Sequence, residues 1–142
     1  MGAEQTPAIV RLILKGHIPA KKNLKRPWVN RKTGKLTVII DRDIKAQIDA
    51  LTFQARKQWR RPPAEHPDVD FEFFVINAGA DTDNMYTTIL DVLQEAGVIV
   101  NDNVNRFNGT KVIHPAVVGA HEGVIIDISE KQAALIVENE SA

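Results

Sequence analysis

Between Val69 and Ala96 the hydrophobic repeat changes from two residues to three or four, and this switch restricts the fold more than any other feature of the chain. Phe71, Phe73 and Val75 alternate with Asp70, Glu72 and Phe74. A period of two is that of a strand, and the apolar Phe74 on the second face signals burial on both sides for part of its length. Ala78-Gly79-Ala80 turns the chain. Met85, Ile89, Val92, Leu93 and Ala96 then fall on one face of a helix over 83–96, with Gly97 placed to end it.

The remaining elements follow the same logic. Alternation over 9–18 predicts a strand that Pro19 ends, and Leu36 to Ile40 predicts another after a tight turn at Thr33-Gly34-Lys35. Ile44, Ile48, Leu51 and Ala55 predict a helix over 41–59, capped by Asp41 or Asp43 and stopped by Pro62-Pro63. Val98 to Val100 reads as a short strand delivering Asn101-Asp102. Residues 111–118, interrupted by Pro115, and 123–128 read as two more strands joined near Gly119. The tail adds a strand or short helix over 133–137, and Asn108-Gly109 suits a hairpin turn. The expected fold is α+β, a single domain over residues 8–130 with a mixed β-sheet and two main helices packed on it. Residues 1–7 and 138–142 are expected to be flexible termini. The length of 142 residues suffices for one core.

A net charge of zero conceals a marked asymmetry. Residues 1 to 61 carry fifteen Lys or Arg and four acids, and residues 62 to 142 carry three basic residues and fourteen acids. Such a split describes either a polyanion-binding surface beside an acidic site, or two halves that interleave into ordinary ion pairs. Residues 20 to 35 read as a basic loop in which Lys21, Lys22, Lys25, Arg26, Arg31, Lys32 and Lys35 surround Trp28. Lys21, Lys22, Lys25 and Arg26 are candidate contacts to nucleic-acid phosphates. Trp28 either stacks on an unpaired base or packs into the core. There is no cysteine, which excludes disulfides and thiolate zinc sites and suits a reducing cytoplasm. No apolar run reaches the length of a membrane span.

The acids of the second half are clustered. Asp81 and Asp83 stand between a strand end and a helix start, two positions apart, so that in an extended segment they share a face. Asp102 arrives from the strand after the helix. Gathered carboxylates raise one another's pKa unless a cation lies between them, and Mg²⁺ binds such hard oxygen donors. Asp81, Asp83 and Asp102 are therefore candidate metal ligands, and a metal held there could generate a hydroxide and orient a phosphate. Taken singly, Asp83 reads better as a helix cap and Asp81 as a turn residue, and the plain reading of Asp102 is a solvated loop acid. Asp91, about 80° round the helix from Asp83, suits a structural role better. A calcium-binding EF-hand loop starting at Asp81 would need glycine and glutamate where Tyr86 and Val92 stand. The four histidines show no zinc spacing, and no Walker loop or nucleophile elbow is present.

The run Asp81-Thr82-Asp83-Asn84, Leu90-Asp91-Val92-Leu93 and Ala96-Gly97-Val98-Ile99-Val100-Asn101-Asp102 resembles the RusA-type Holliday junction resolvases. Their signature is D-x-D-N, a lysine, L-D-x-L, then a glycine and an acidic pair after a short apolar run. Ile18-Pro19-Ala20-Lys21-Lys22-Asn23 is similar to the family's early proline and basic motif. The resemblance spans roughly residues 8 to 128. It implies a Mg²⁺-dependent homodimer that nicks branched DNA symmetrically, with Asp81, Asp83 and Asp102 at the catalytic acidic positions. Two residues depart from the pattern. Thr87 stands where the family has its lysine, and Asn101 is the first of the acidic pair. The expectation is thus a cytoplasmic, structure-selective DNA endonuclease acting on four-way junctions. The alternative is a branched-DNA-binding protein of the same fold with weak or lost cleavage. Lys111, Arg106 or a basic-loop residue could supply the positive charge that Thr87 lacks.

Overall fold

The computed structural model describes residues 9–20, 23–100 and 110–130. Among these residues seven strands and two helices follow one another as β1 (Ile9–Lys15), β2 (Lys25–Val29), β3 (Leu36–Ile40), α1 (Arg42–Gln58), β4 (Pro67–Val75), α2 (Thr82–Glu95), β5 (Lys111–Ile113), β6 (Val117–Val118) and β7 (Gly123–Glu130). The main sheet has the order β1-β7-β4-β5, with β6 also beside β4. β7 lies antiparallel to both β1 and β4, whereas β5 and β6 run parallel to β4. A mixed sheet results because α2 carries the chain back between β4 and β5, the crossover a parallel pair requires. β2 and β3 form a separate two-stranded hairpin. This is the single-domain α+β fold expected from the sequence.

The helices cover one face of the sheet. Leu12 and Leu14 of β1, Val69, Phe71, Phe73 and Val75 of β4, and Val124, Ile126 and Ile128 of β7 are buried. They pack in one core with Leu51 and Ala55 of α1 and Ile89, Val92 and Leu93 of α2. Alternate burial along β1, β4 and β7 is the physical content of the period of two. The opposite face carries Arg11, Ile13, Asp70, Glu72 and Asp127 and stays accessible. β1 lies at a sheet edge, and α1 closes that edge. The Gln58 amide binds both the N–H and the carbonyl of Ile13, and the Gln54 amide does the same for Lys15, all at 2.8–2.9 Å. Ile13 and Lys15 are thereby closed to a further strand.

Both helices begin on an aspartate. Asp41 Oδ1 accepts from the amides of Asp43 and Ile44 at the start of α1, and Asp81 plays the same part for α2. α2 ends on Gly97, at φ +79°. The amide of Val98 there returns to the Leu93 carbonyl at 2.8 Å. Arg56 of α1 donates to the Glu95 carbonyl at 3.1 Å, placing a cation at the negative end of α2.

Several expected elements differ. β2 lies inside the stretch read as a basic loop, and the turn that joins it to β3 is built by Asn30. The Asn30 amide donates to the Lys35 carbonyl, and its side chain accepts from Lys32. Val98 to Val100 is not a strand; only Ile99 bridges to Ala64, because the chain there merely touches the Pro63–Glu65 connector. The stretch 111–118 divides at Pro115 into β5 and β6, since proline cannot supply a ladder N–H. Neither pairs with β7, because β4 lies between them. Residues 1–7, 133–137 and 138–142 and the Asn108-Gly109 turn lie outside the described residues.

Candidate functional site

Strand direction brings distant residues to one end of the sheet. Lys15 pairs with Gly123, and Gly123 with Phe74, so the exit of β1, the entry of β7 and the exit of β4 coincide. α2 starts at the same end. A cleft of about 510 Å³ opens there, lined among others by His17, Asn77, Asp81, Asn84, Met85 and Glu122.

Asp81 is the N-cap of α2. Its Oδ1 accepts from the amides of Asp83 at 3.0 Å and Asn84 at 3.3 Å, and its Oδ2 accepts from the Asn84 side-chain amide at 2.6 Å. Asp83 lies in the first helical turn and is exposed. The helix therefore starts at Thr82, one residue earlier than expected. The two carboxylates do not share a face of an extended segment; they flank the positive end of the helix dipole, which favours both charges. Thr87, at the position of the resolvase lysine, donates its hydroxyl to the Asp83 carbonyl at 3.0 Å. The neighbouring Tyr86 ring lies 5.9 Å below the Lys111 ammonium and meets Phe71 edge-on.

Asp102 lies outside the described residues, as do Lys21, Lys22 and Arg106. Among the described residues no group of three His, Cys, Asp or Glu is gathered closely enough to hold a metal ion. Asp81 and Asp83 supply hard oxygen donors and Asn84 a neutral one, a donor set whose chemistry fits Mg²⁺. Asp91 belongs elsewhere. It lines a hollow between α1 and α2 with Leu24, Lys45, Thr52 and Arg56, in keeping with a structural role.

The sequence did not reveal the His17–Glu122 pair that lines the same cleft as Asp81. His17 Nδ1 lies 2.8 Å from Glu122 Oε2, and both residues line the cleft. The Gly16 amide donates to the Glu122 carbonyl at 3.0 Å, fixing the two segments together. Nothing in the linear pattern joins residues 105 positions apart. Only the pairing of β1 with β7 does.

Lys25 and Arg26 stand on β2, exposed. Trp28 is 47% exposed, which removes the reading that places it in the core. None of the ion pairs among the described residues involves Lys25, Arg26, Arg31, Lys32 or Lys35. Arg11 with Asp127 does join the basic and acidic halves, at 2.8 Å. Among the described residues the halves thus interleave on the sheet but not on the hairpin.

Comparison with family models and with curated proteins returns no match for this chain. Among the described residues no helix is long and apolar enough to cross a membrane.

Proposed function

We propose that this protein is a Mg²⁺-dependent endonuclease of branched DNA, hydrolysing phosphodiester bonds at four-way junctions as a homodimer. One observation carries the reading: the Asp81 carboxylate lines a cleft at the sheet end and Asp83 stands two residues on, in the first turn of α2, in a chain whose other half projects a basic hairpin with no ion pair among the described residues. The likeness of the 81–102 run to the RusA-type resolvases supports it.

In this reading Asp81 and Asp83, with Asp102, hold the metal. Bound there, Mg²⁺ would lower the pKa of a water and offset charge on the phosphate. The amides of Asp83 and Asn84 fix the Asp81 carboxylate, so its donor oxygens are set before substrate arrives. Lys25 and Arg26, with Lys21 and Lys22, neutralise phosphates of the incoming arms. A two-fold dimer matches the symmetry of the junction and presents one site to each of two opposed strands. The lack of cysteine suits work in the cytoplasm.

Thr87 favours a second reading, a branched-DNA-binding protein without cleavage. Its hydroxyl is neutral and committed to the Asp83 carbonyl, so it brings no positive charge to a scissile phosphate. Incubation with a synthetic four-way junction in Mg²⁺ and in EDTA separates the two. Paired nicks that need Mg²⁺ and vanish in Asp83→Asn support the enzyme. Tight binding without nicks supports the second reading, and neither binding nor nicking overturns both. Thr87→Lys is expected to raise the cutting rate.

A further inference from the structure

The β2–β3 hairpin leaves the domain between the cleft segment ending at Ala20 and the N-cap of α1. The Asp41 amide closes its base by donating to the Leu24 carbonyl at 2.7 Å. Its register pairs Lys25 with Ile40, Pro27 with Val38 and Val29 with Leu36. Residues directly opposite share a face, so Pro27, Val29, Leu36, Val38 and Ile40 form one largely apolar surface, with Lys25 at its base beside Ile40. That surface is bare: Val29 is 54% exposed, Leu36 and Val38 66%, and Ile40 49%. Arg26 and Trp28 occupy the other face, and Arg31, Lys32 and Lys35 the turn. A two-stranded ribbon with an uncovered apolar face is marginal by itself and gains stability from whatever covers it.

Charge selects the occupant. From Gln5 to Ile40 the chain contains no Asp or Glu, and the hairpin carries five cations without an acid. Two copies packed through this element would bring like charges together. A polyanion is attracted to it, and a two-stranded ribbon fits a DNA groove. The apolar face adds a discrimination that charge lacks. In continuous duplex the base faces are hidden by stacking, whereas at a branch point stacking is interrupted and apolar side chains can insert.

We propose that this hairpin is a branch-sensing DNA arm: its cations hold phosphates, while Val29, Val38 and their apolar neighbours pack on the bases laid open at a branch. The inference rests on the branched-DNA reading above and names the element that distinguishes a junction from a duplex.

The test measures binding in EDTA to a four-way junction and to a linear duplex of the same arm sequence, alongside sedimentation of the free protein. Val29→Thr/Val38→Thr keeps shape and strand preference while making the face polar. This variant is expected to lose about tenfold in junction affinity with little change for duplex. Arg31→Ala/Lys32→Ala is expected to weaken both and to reduce the salt slope by about two. Circular dichroism shows that both variants fold, and retained duplex binding shows it independently for the threonine variant. Unchanged junction preference in the threonine variant overturns the arm while leaving the endonuclease reading intact. Dissociation of a dimer, with junction affinity per protomer retained, overturns it in favour of a second copy on this face. Failure of the wild-type protein to bind any DNA overturns both the arm and the reading beneath it.

Discussion

The Thr88 hydroxyl donates a 2.7 Å hydrogen bond to the Pro19 carbonyl, tying α2 to a segment 69 residues earlier in the chain. Both residues are buried. This bond fixes the path of His17 to Ala20 along the helix that carries Asp81 and Asp83, and so fixes one wall of the cleft.

Thr88→Val preserves shape but leaves the Pro19 carbonyl without that donor. An unsatisfied buried acceptor costs about 1–3 kcal/mol. Urea unfolding is expected to show the unfolding free energy lowered by that amount, as a lower midpoint with an unchanged m-value, and Thr88→Ser is expected to restore most of the loss.

Asp81 serves as helix cap and as candidate metal ligand, and two substitutions separate the roles. Asp81→Ala removes the bonds to the Asp83 and Asn84 amides and is expected to cost about 1 kcal/mol of stability. Asp81→Asn caps a helix as well as aspartate does, so its stability is expected to match wild type. Both variants are expected to lose Mg²⁺ binding by calorimetry. Mg²⁺ affinity surviving in Asp81→Asn would remove Asp81 from the ligand set.

Gly123 lies at φ +154°, and a Cβ there would collide with the Leu14 carbonyl. β1 and β7 approach each other too closely at the cleft for any side chain. Gly123→Ala is expected to destabilise the protein by about 3 kcal/mol through strain and displacement of β1. Ala substitution at Gly119, which has open space around it, serves as the control in thermal unfolding.

The Arg11 guanidinium donates two hydrogen bonds to Asp127, at 2.8 and 2.9 Å, and holds its carboxyl below the usual carboxylate range. The folded state therefore binds the Asp127 proton less readily than the unfolded chain does. The stabilisation is fully present above the unfolded carboxylate pKa and is lost as pH falls through the lower folded value. Asp127→Asn is expected to flatten the acid limb of the stability–pH curve and leave its shape near neutrality unchanged. An identical acid limb in the variant would show that the pair contributes nothing measurable, as exposed pairs often do.

The legibility of the chain followed burial. β4 and α2 were readable because each buries one face against a common core, and burial imposes the period of two on Phe71 and Phe73 and the helical period on Ile89 and Leu93. β2 was not, because Lys25-Arg26-Pro27-Trp28-Val29 buries neither face and is dominated by charge and proline, whereas the almost equally exposed β3 was readable from its run of β-branched residues. Val98 to Val100 misled for the converse reason. Val98 and Ile99 are apolar because they are buried in the core, not because they pair in a sheet.

Asp81 and Asp83 were visible as a spaced pair, but which of them caps the helix depended on a one-residue difference in where α2 starts, a boundary that spacing cannot place. The His17–Glu122 contact was invisible, since neither residue has a local pattern.

By itself the sequence determined the strand–turn–helix at 69–96, the single α+β domain, the acidic run and the charge division between the halves. These are local or compositional properties, set by periodicity and side-chain chemistry. The tertiary structure decided the rest. It placed β7 between β1 and β4, brought His17, Asp81 and Glu122 to one cleft, and paired Arg11 with Asp127 while giving the hairpin cations no ion pair among the described residues. Such relations depend on which strands pair and in which direction, and pairing is a long-range choice made by the shared core, not by any short stretch of residues.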